Sequence, residues 1–571
     1  MTASRKDSSV LRWGRAKVVE VFGADLRSLA TFRIVLAVLV LADLANRASD
    51  LSAHYTDGGV LPRALLVQQV LYRWGFSLNL INGEPFYQAL LFGVAAVAAL
   101  ALLVGYRTRL MTAVVWVMLL SIQWRNPPVV NGGDDLLRLS LFWGMFLPLG
   151  ACWSVDRALK VAPLRLSMRF LSLATVGLFM QIAFVYWFTA ILKSGREWRV
   201  DGTALYYALG TDQLATPLGA YVYQFPALLE VLTFFTFGLE AFGLFLLFCP
   251  FFTGPVRTGA ALAFMSLHFG IWLTMDIGIF PWISALCMVC FLPAWFWDKA
   301  VPGLRGAFPG QPGIARHLRR AARPIHSRWL PLLARLSPMR GVGQPSVAGL
   351  VGYGDNRPGS GGAPPAPPSK QDEARPATAE RGTRRGGAGE PRPTMLRSSL
   401  ATNLLAAFFL LYVFCWNLTT VSAFAMPAPL IPLGQSLGLT QSWDMFAPSP
   451  SREDGWHVIP GTLRGGQRVD LMAVTRDDYS PREGVSWEKP RHIPAIYGSE
   501  RWRKYLEYIW RKENADRRPH LGRYICREWN ARHAGTEQLM TLQVTYMLET
   551  TLPDYQRATP KKVVLWKQSC L

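Results

Sequence analysis

Apolar runs of membrane-spanning length recur from Phe32 to Leu418, separated by shorter polar stretches. A helix crosses the hydrocarbon core in about 20 apolar residues. The runs fall near 29–46, 86–104, 110–124, 134–150, 171–192, 226–248, 258–275, 279–297 and 400–418, which predicts about nine spans. The third and fourth are short and the seventh and eighth nearly fused, so eight to ten fit the same pattern. From about Met426 the periodicity changes. WHVIPGTL, RVDLMAV, TLQVTYMLET and KKVVLWK read as strands, with a turn at Gly465-Gly466 between the first two. SERWRKYLEYIWRKEN and the stretch around HLGRYICREWNARHA carry helical spacing. The expected fold is an α-helical polytopic membrane protein with a small C-terminal α+β extramembrane domain. Its parts are a basic cytoplasmic N-terminus (1–28), a membrane core of about eight helices (29–298), a loop (299–399), a last span (400–418) and an extracytoplasmic domain (426–571).

The net charge of +22 raises the question of nucleic-acid binding. Its distribution answers otherwise. Residues 301–400 hold 16 Lys or Arg against 5 Asp or Glu, a net +11, in a stretch between two spans. Basic residues also crowd the N-terminus, Arg107 and Arg109, and Arg157 to Arg169, whereas the loops at 47–85, 125–133 and 193–225 are nearly balanced. The positive-inside rule then predicts a cytoplasmic N-terminus and an extracytoplasmic C-terminal domain. Anionic lipid is the expected partner of the 301–400 loop, and no stacking-and-basic motif supports a nucleic acid. The first 28 residues show no short apolar segment with a cleavage site, so the first span is expected to serve as a signal anchor. Residues 340–397 are rich in Pro, Gly, Ala and Arg, a composition that predicts disorder. Of seven cysteines, Cys526 and Cys570 alone fall in the C-terminal domain, where an oxidising compartment would permit them to pair.

Charges embedded in apolar runs are costly, and each is a functional-site hypothesis. Lys193 ends FVYWFTAILKSGREW; it either serves chemistry, snorkels to the outer interface, or pairs with Glu197 four residues on. His268 and Glu240 lie mid-span; Glu240 requires a cationic partner or a proton. Arg33 and Arg138 read as structural pairs, and Asp43 is a further embedded charge. His54, Tyr55 and Asp57 occupy a loop with Gly58-Gly59, and Asn131, Asp134 and Asp135 form a second outward polar cluster in which either aspartate suits a helix cap. Together these loops are expected to roof the outer end of the bundle near Lys193. Cys287 and Cys290 form a CxxC without further ligands nearby, so no metal is predicted.

Read in order, the polar motifs of the core resemble the horizontally transferred transmembrane (HTTM) domain family, the group related to vitamin K-dependent γ-carboxylase. TFRIVLAVLVLADL, HYTDGGVLPR (54–63), NGGDDLLRLSLFW (131–143) and SLHFGIWLTMDIGIFPW (266–282) carry the resemblance, and WDMFAPSP (443–450) with GWHVIPGTL extends it. The resemblance implies a reduced, vitamin K-like quinone as cofactor, with a lysine base that deprotonates it. Lys193, followed by Trp198 five residues on, matches that motif, with His268 as its companion. Desolvation of an amine favours its neutral, basic form. Two departures stand out. The loop WRNPPVVNGGDD lacks the histidine that the carboxylases carry there, and Leu192 precedes Lys193 where the family has a second lysine. The expected function is quinol-linked, carboxylation-like modification of a peptide or small partner. Lys193 and His268 would be catalytic, with Glu240, His54, Tyr55, Asp57, Asn131 and Trp198 around the pocket. The alternative is a non-catalytic accessory, maturation or immunity factor for an exported partner.

Overall fold

Asp25 starts the membrane core: its carboxylate accepts from the Arg27 backbone N–H at 2.8 Å, capping the first membrane-length helix. Before it lie helix α1 (Ala3–Phe22) and the two-residue strand β1 (Ala24–Asp25), which pairs with β2 (Arg169–Phe170). The computed structural model describes residues 3–67, 74–159, 167–302, 396, 398–553 and 556–570. Most of the basic 299–399 loop expected to be disordered, and Lys160 and Arg165 among the orienting charges, lie outside these residues.

The core continues through α2 (Leu26–Ser49), α3 (Leu51–Tyr55), α4 (Pro85–Val104), α5 (Thr108–Arg125), α6 (Gly132–Gly144), α7 (Leu173–Leu192), α8 (Pro226–Leu247), α9 (Thr253–Thr274), α10 (Phe280–Cys287) and α11 (Leu400–Thr420). Among the described residues, six of these, α2, α4, α7, α8, α9 and α11, are long and apolar enough to cross a membrane. The other three expected spans are helical but different in kind. α6 has 13 residues, about 20 Å of helix, against a core of about 30 Å. α5 carries buried Gln123 and Arg125, and α10 gives way after one short stretch to a 3₁₀ segment, Met288–Phe291. Pattern counting credits such segments as spans because it registers apolar content, not helix length.

Large apolar side chains on α4 and α8, including Leu90, Val97, Phe235, Phe242 and Phe245, are exposed. Contiguous apolar surface on this scale belongs against lipid. The interior is built around Phe32, Trp143, Phe179, Phe264 and Ile283, and Trp443 joins it from beyond α11. α4 ends at Gly105, whose φ of +73° and 2.4 Å approach of an added Cβ to the Arg33 guanidinium exclude a side chain. Arg33 itself binds backbone carbonyls, Trp153 at 2.7 Å among them, in place of the charged partner expected for it.

Beyond α11 the chain builds a five-stranded antiparallel sheet. The long β6 (Leu539–Thr550) pairs on one side with β3 (Glu453–Val458) and β4 (Pro460–Leu463), and on the other with β7 (Lys561–Ser569); β5 (Arg468–Asp470) extends from β4. The second half of RVDLMAV leaves the sheet because the Asp470 carboxylate accepts from the Met472 N–H and starts a 3₁₀ turn. Helices α12 (Glu500–Trp510) and α13 (Arg518–Asn530) pack on this sheet, and a disulfide joins Cys526 of α13 to Cys570 after β7. The apolar cluster here, around Trp456, Trp502, Tyr505 and Trp529, also takes in Ala53, Val60 and Val129 from the loops of the membrane core.

An ion cluster locks the two regions together. Arg47 and Arg501 both bridge Asp43 and Asp134, at distances from 2.5 to 2.8 Å, and all four are buried. Tyr55 adds its hydroxyl as acceptor from Arg47 at 2.7 Å. Ser499 donates to Asp50 at 2.6 Å, and Asn131 to Glu500 at 2.7 Å.

Candidate active site in the membrane core

Helix α7 sets the site. Tyr186 and Lys193, seven residues apart, fall on one face of it. The helix stops where Ser194-Gly195 follow, and Arg199 covers the end by donating to the Lys193 carbonyl at 2.9 Å. The Lys193 side chain turns inward. Its Nζ lies 2.6 Å from the Glu240 carboxylate on α8 and 4.0 Å from the centre of the Trp198 ring, and both the lysine and the glutamate are buried. Thus the two embedded charges that the sequence flagged separately answer one another. The snorkelling reading and the pairing with Glu197 are both overturned: Glu197 is engaged by Ser449 at 2.6 Å and Arg452 at 3.0 Å. Burial decides it, because a buried carboxylate without a counter-charge would be far costlier than the same partner at a wet interface.

Two turns further into the helix, Tyr186 Oη lies 2.8 Å from His268 Nε2 on α9. The imidazole is 3% exposed and its Nδ1 has no hydrogen-bond partner. Phe280 closes the other side, its ring 5.7 Å from the imidazole. The Lys193 charge acts on His268, and that of Glu240 on Tyr186, so the two pairs form one electrostatic group on three helices. A cation, a carboxylate, a phenol and an imidazole with a free ring nitrogen can bind an oxygen-bearing ligand and move a proton at it.

A strap covers the Lys193 end of α7. Residues 443–452, the WDMFAPSP stretch and its continuation, cross over the Lys193 turn: Gly195 donates to the Pro448 carbonyl at 3.0 Å and the Trp198 indole to the Phe446 carbonyl at 2.9 Å. This cover replaces the roof expected of His54, Tyr55, Asp57 and Asn131. His54 is buried against Trp502, ring centres 4.7 Å apart, and burial with nearby Arg501, Arg47 and Arg125 pushes it down to about 3, so it is neutral. It stands beside the loop that lacks a histidine, accepting from Asn126 at its carbonyl at 2.9 Å. Tyr55 serves the ion cluster, and Asp57 pairs with Arg63 at 2.7 Å near the surface. Asn131 is the N-cap of α6, accepting from the Gly133 and Asp134 N–H groups. Asp134 completes a capping box by accepting from the Asn131 backbone N–H at 2.8 Å, and the same carboxylate also faces inward to the two arginines.

Sequence reasoning missed Tyr186 and the role of the strap. The seven-residue spacing to Lys193 was the available signal for the first; nothing local marked the second. Cys287 and Cys290 are free buried thiols, with Cys287 beside Ser140 at 3.4 Å. Among the described residues, no cluster of three His, Cys, Asp or Glu is placed to hold a metal ion. A groove of about 720 Å³ between α4 and α5, lined by Phe86, Leu90, Val94, Val97, Met111 and Val114, is wholly apolar and sits on helices that carry none of these groups.

No curated protein and no solved structure matches the chain. The family model of the HTTM domain does match, over residues 23–295, a stretch that contains Lys193, Glu240, Tyr186 and His268. Residues 23–295 of this chain are therefore an HTTM domain.

Proposed function

We propose that this membrane protein is a γ-carboxylase-like enzyme that performs quinol-linked modification of a peptide or small exported partner, with Lys193 as base. The buried Lys193–Glu240 pair beside an imidazole with an unpartnered nitrogen carries this reading. A hydroquinone-type cofactor supplies a hydroxyl to deprotonate and reducing equivalents. In this reading Lys193 takes the proton of such a hydroxyl, and Glu240, 2.6 Å away, is the acceptor to which the amine passes it on. Trp198 and the strap exclude water from the amine, and His268 offers its free nitrogen to the ligand. Orientation follows the basic loops, N-terminus inside and C-terminal region outside, in keeping with the Cys526–Cys570 disulfide. Anionic lipid remains the proposed partner of the 301–400 loop.

The decisive experiment is mass spectrometry of lipids retained in mild detergent, together with turnover of the Lys193→Ala variant. A retained quinone and lost turnover are expected. Retention of phospholipid alone, with unchanged activity in the variant, overturns the enzyme reading. That result would favour an accessory or maturation factor. One observation favours that alternative: a 2.6 Å lysine–glutamate pair joining α7 to α8 also works as simple structural glue.

A further inference from the structure

We infer that Tyr186 is a positioning residue that donates its hydroxyl to Nε2 of His268, fixing the imidazole as the Nδ1–H tautomer so that this N–H binds an oxygen of the lipid-soluble ligand. The inference rests on the reading of this cluster as a ligand site and adds a role that neither Lys193 nor Glu240 explains.

Three observations lead to it. Tyr186 Oη and His268 Nε2 are 2.8 Å apart, and no second partner is shown for either atom. His268 Nδ1 is buried and has no partner at all. The groups facing the ring from other elements are Phe280, Phe264 through Tyr186, and the charged Lys193, none of which accepts a hydrogen bond from Nδ1.

A neutral imidazole carries one proton, on one nitrogen. If Nε2 held it, the phenol would have to accept, and its own O–H would be a buried donor without an acceptor. The phenol is the more acidic partner and imidazole nitrogen the better acceptor, so the O–H···N direction is the stronger bond. The proton then sits on Nδ1, as a donor sealed from water. Buried donors are almost always satisfied, and what satisfies this one is an acceptor from outside the chain. The neighbouring ammonium selects for an acceptor with partial or full negative charge. A carbonyl or phenolic oxygen on a hydrophobic ring system meets both demands; a hydrocarbon chain meets neither.

The test uses the full-length protein in detergent with nitrogen-15 in its histidine rings. Eight histidines are present, and the His268→Gln spectrum identifies the signal. The expected result is a protonated Nδ1 and unprotonated Nε2 at His268, lost as a single tautomer in Tyr186→Phe. A protonated Nε2 in the wild type overturns the inference, and so does a Tyr186→Phe spectrum that keeps the wild-type tautomer. The wild-type spectrum alone suffices if the variant does not fold.

A second measurement uses an isoprenoid 1,4-naphthoquinone labelled with carbon-13 at its carbonyls. The bound carbonyl stretch is expected to fall in the wild type. In Tyr186→Phe it should return toward the free value, with retention about tenfold weaker, the worth of one hydrogen bond. Wild type with the Nδ1–H form that retains no quinone supports the tautomer and sinks the quinone reading, so the two fail separately.

Discussion

At the scale of single residues, the Lys193–Glu240 pair separates folding from chemistry. Breaking a buried pair by removing one partner leaves an uncompensated charge and costs about 3–5 kcal/mol, whereas replacing both with apolar groups is often neutral. Glu240→Leu and Lys193→Met alone should therefore each lower the thermal midpoint sharply in detergent. The double variant should recover most of the loss yet bind no quinone. Recovery of stability together with full activity would show the pair to be structural only. Both residues stood out in the sequence as charges in apolar runs, because their cost is local. Their partnership was not legible, since 47 residues separate them on two different helices and contact across helices leaves no trace in spacing. Tyr186 went unmarked for the opposite reason: a tyrosine in a membrane helix is ordinary, and its seven-residue spacing from Lys193 gains meaning only once something across from it is known.

Among elements, α12 is the one whose removal would matter most. Arg501 reaches from it into the Asp43–Asp134 pair, and Trp502 lies over His54. Arg501→Leu should cost about 3–5 kcal/mol, as for other broken buried pairs. Limited proteolysis would detect it as cleavage after Leu437 at protease levels the wild type resists. The sheet meets the core at a second joint. Buried Asp454 on β3 accepts from the Asp212 backbone N–H at 2.5 Å and from Gln213 at 3.1 Å. Burial, with Asp212 nearby, raises its carboxyl from 3.8 to about 6. The folded state thus holds this proton more tightly than the unfolded chain does. Its contribution is fully present below about pH 4 and lost as pH rises through about 6, a difference of about 3 kcal/mol from the shift. Wild type should accordingly gain thermal stability between pH 7.5 and pH 5, and Asp454→Asn should lose that dependence. A midpoint that moves equally in both proteins would exclude Asp454 as its source. Strands and helices here were readable from periodicity, apart from Ile459, where the first run breaks into β3 and β4, and Asp470, where a side-chain cap outweighed alternation.

For the whole molecule, the disulfide is the handle. Cys526 and Cys570 close a loop of 44 residues, worth about 4 kcal/mol of unfolded-state entropy in the chain-entropy account. Replacing both by serine should lower the urea midpoint of the C-terminal region by a corresponding amount while α2 to α10 stay assembled. Maleimide should label these two positions only after reductant. Labelling without it would place this region in a reducing compartment and reverse the proposed orientation. Membrane character, the change of architecture near Met426 and the family resemblance were all legible in the chain, because each is carried by composition or by short motifs. The covering of the Lys193 turn by residues 443–452 was not, as it joins segments about 250 positions apart.

The four-residue charge cluster sets an order of assembly. Asp43, Asp134 and Arg47 leave one negative charge over until Arg501 arrives, 458 residues after Asp43 in the chain. Ribosomes deliver the early helices long before that arginine exists. During synthesis the nascent bundle therefore carries a surplus carboxylate, and it becomes electrically complete only when the tail has been translated and brought to the same side of the bilayer.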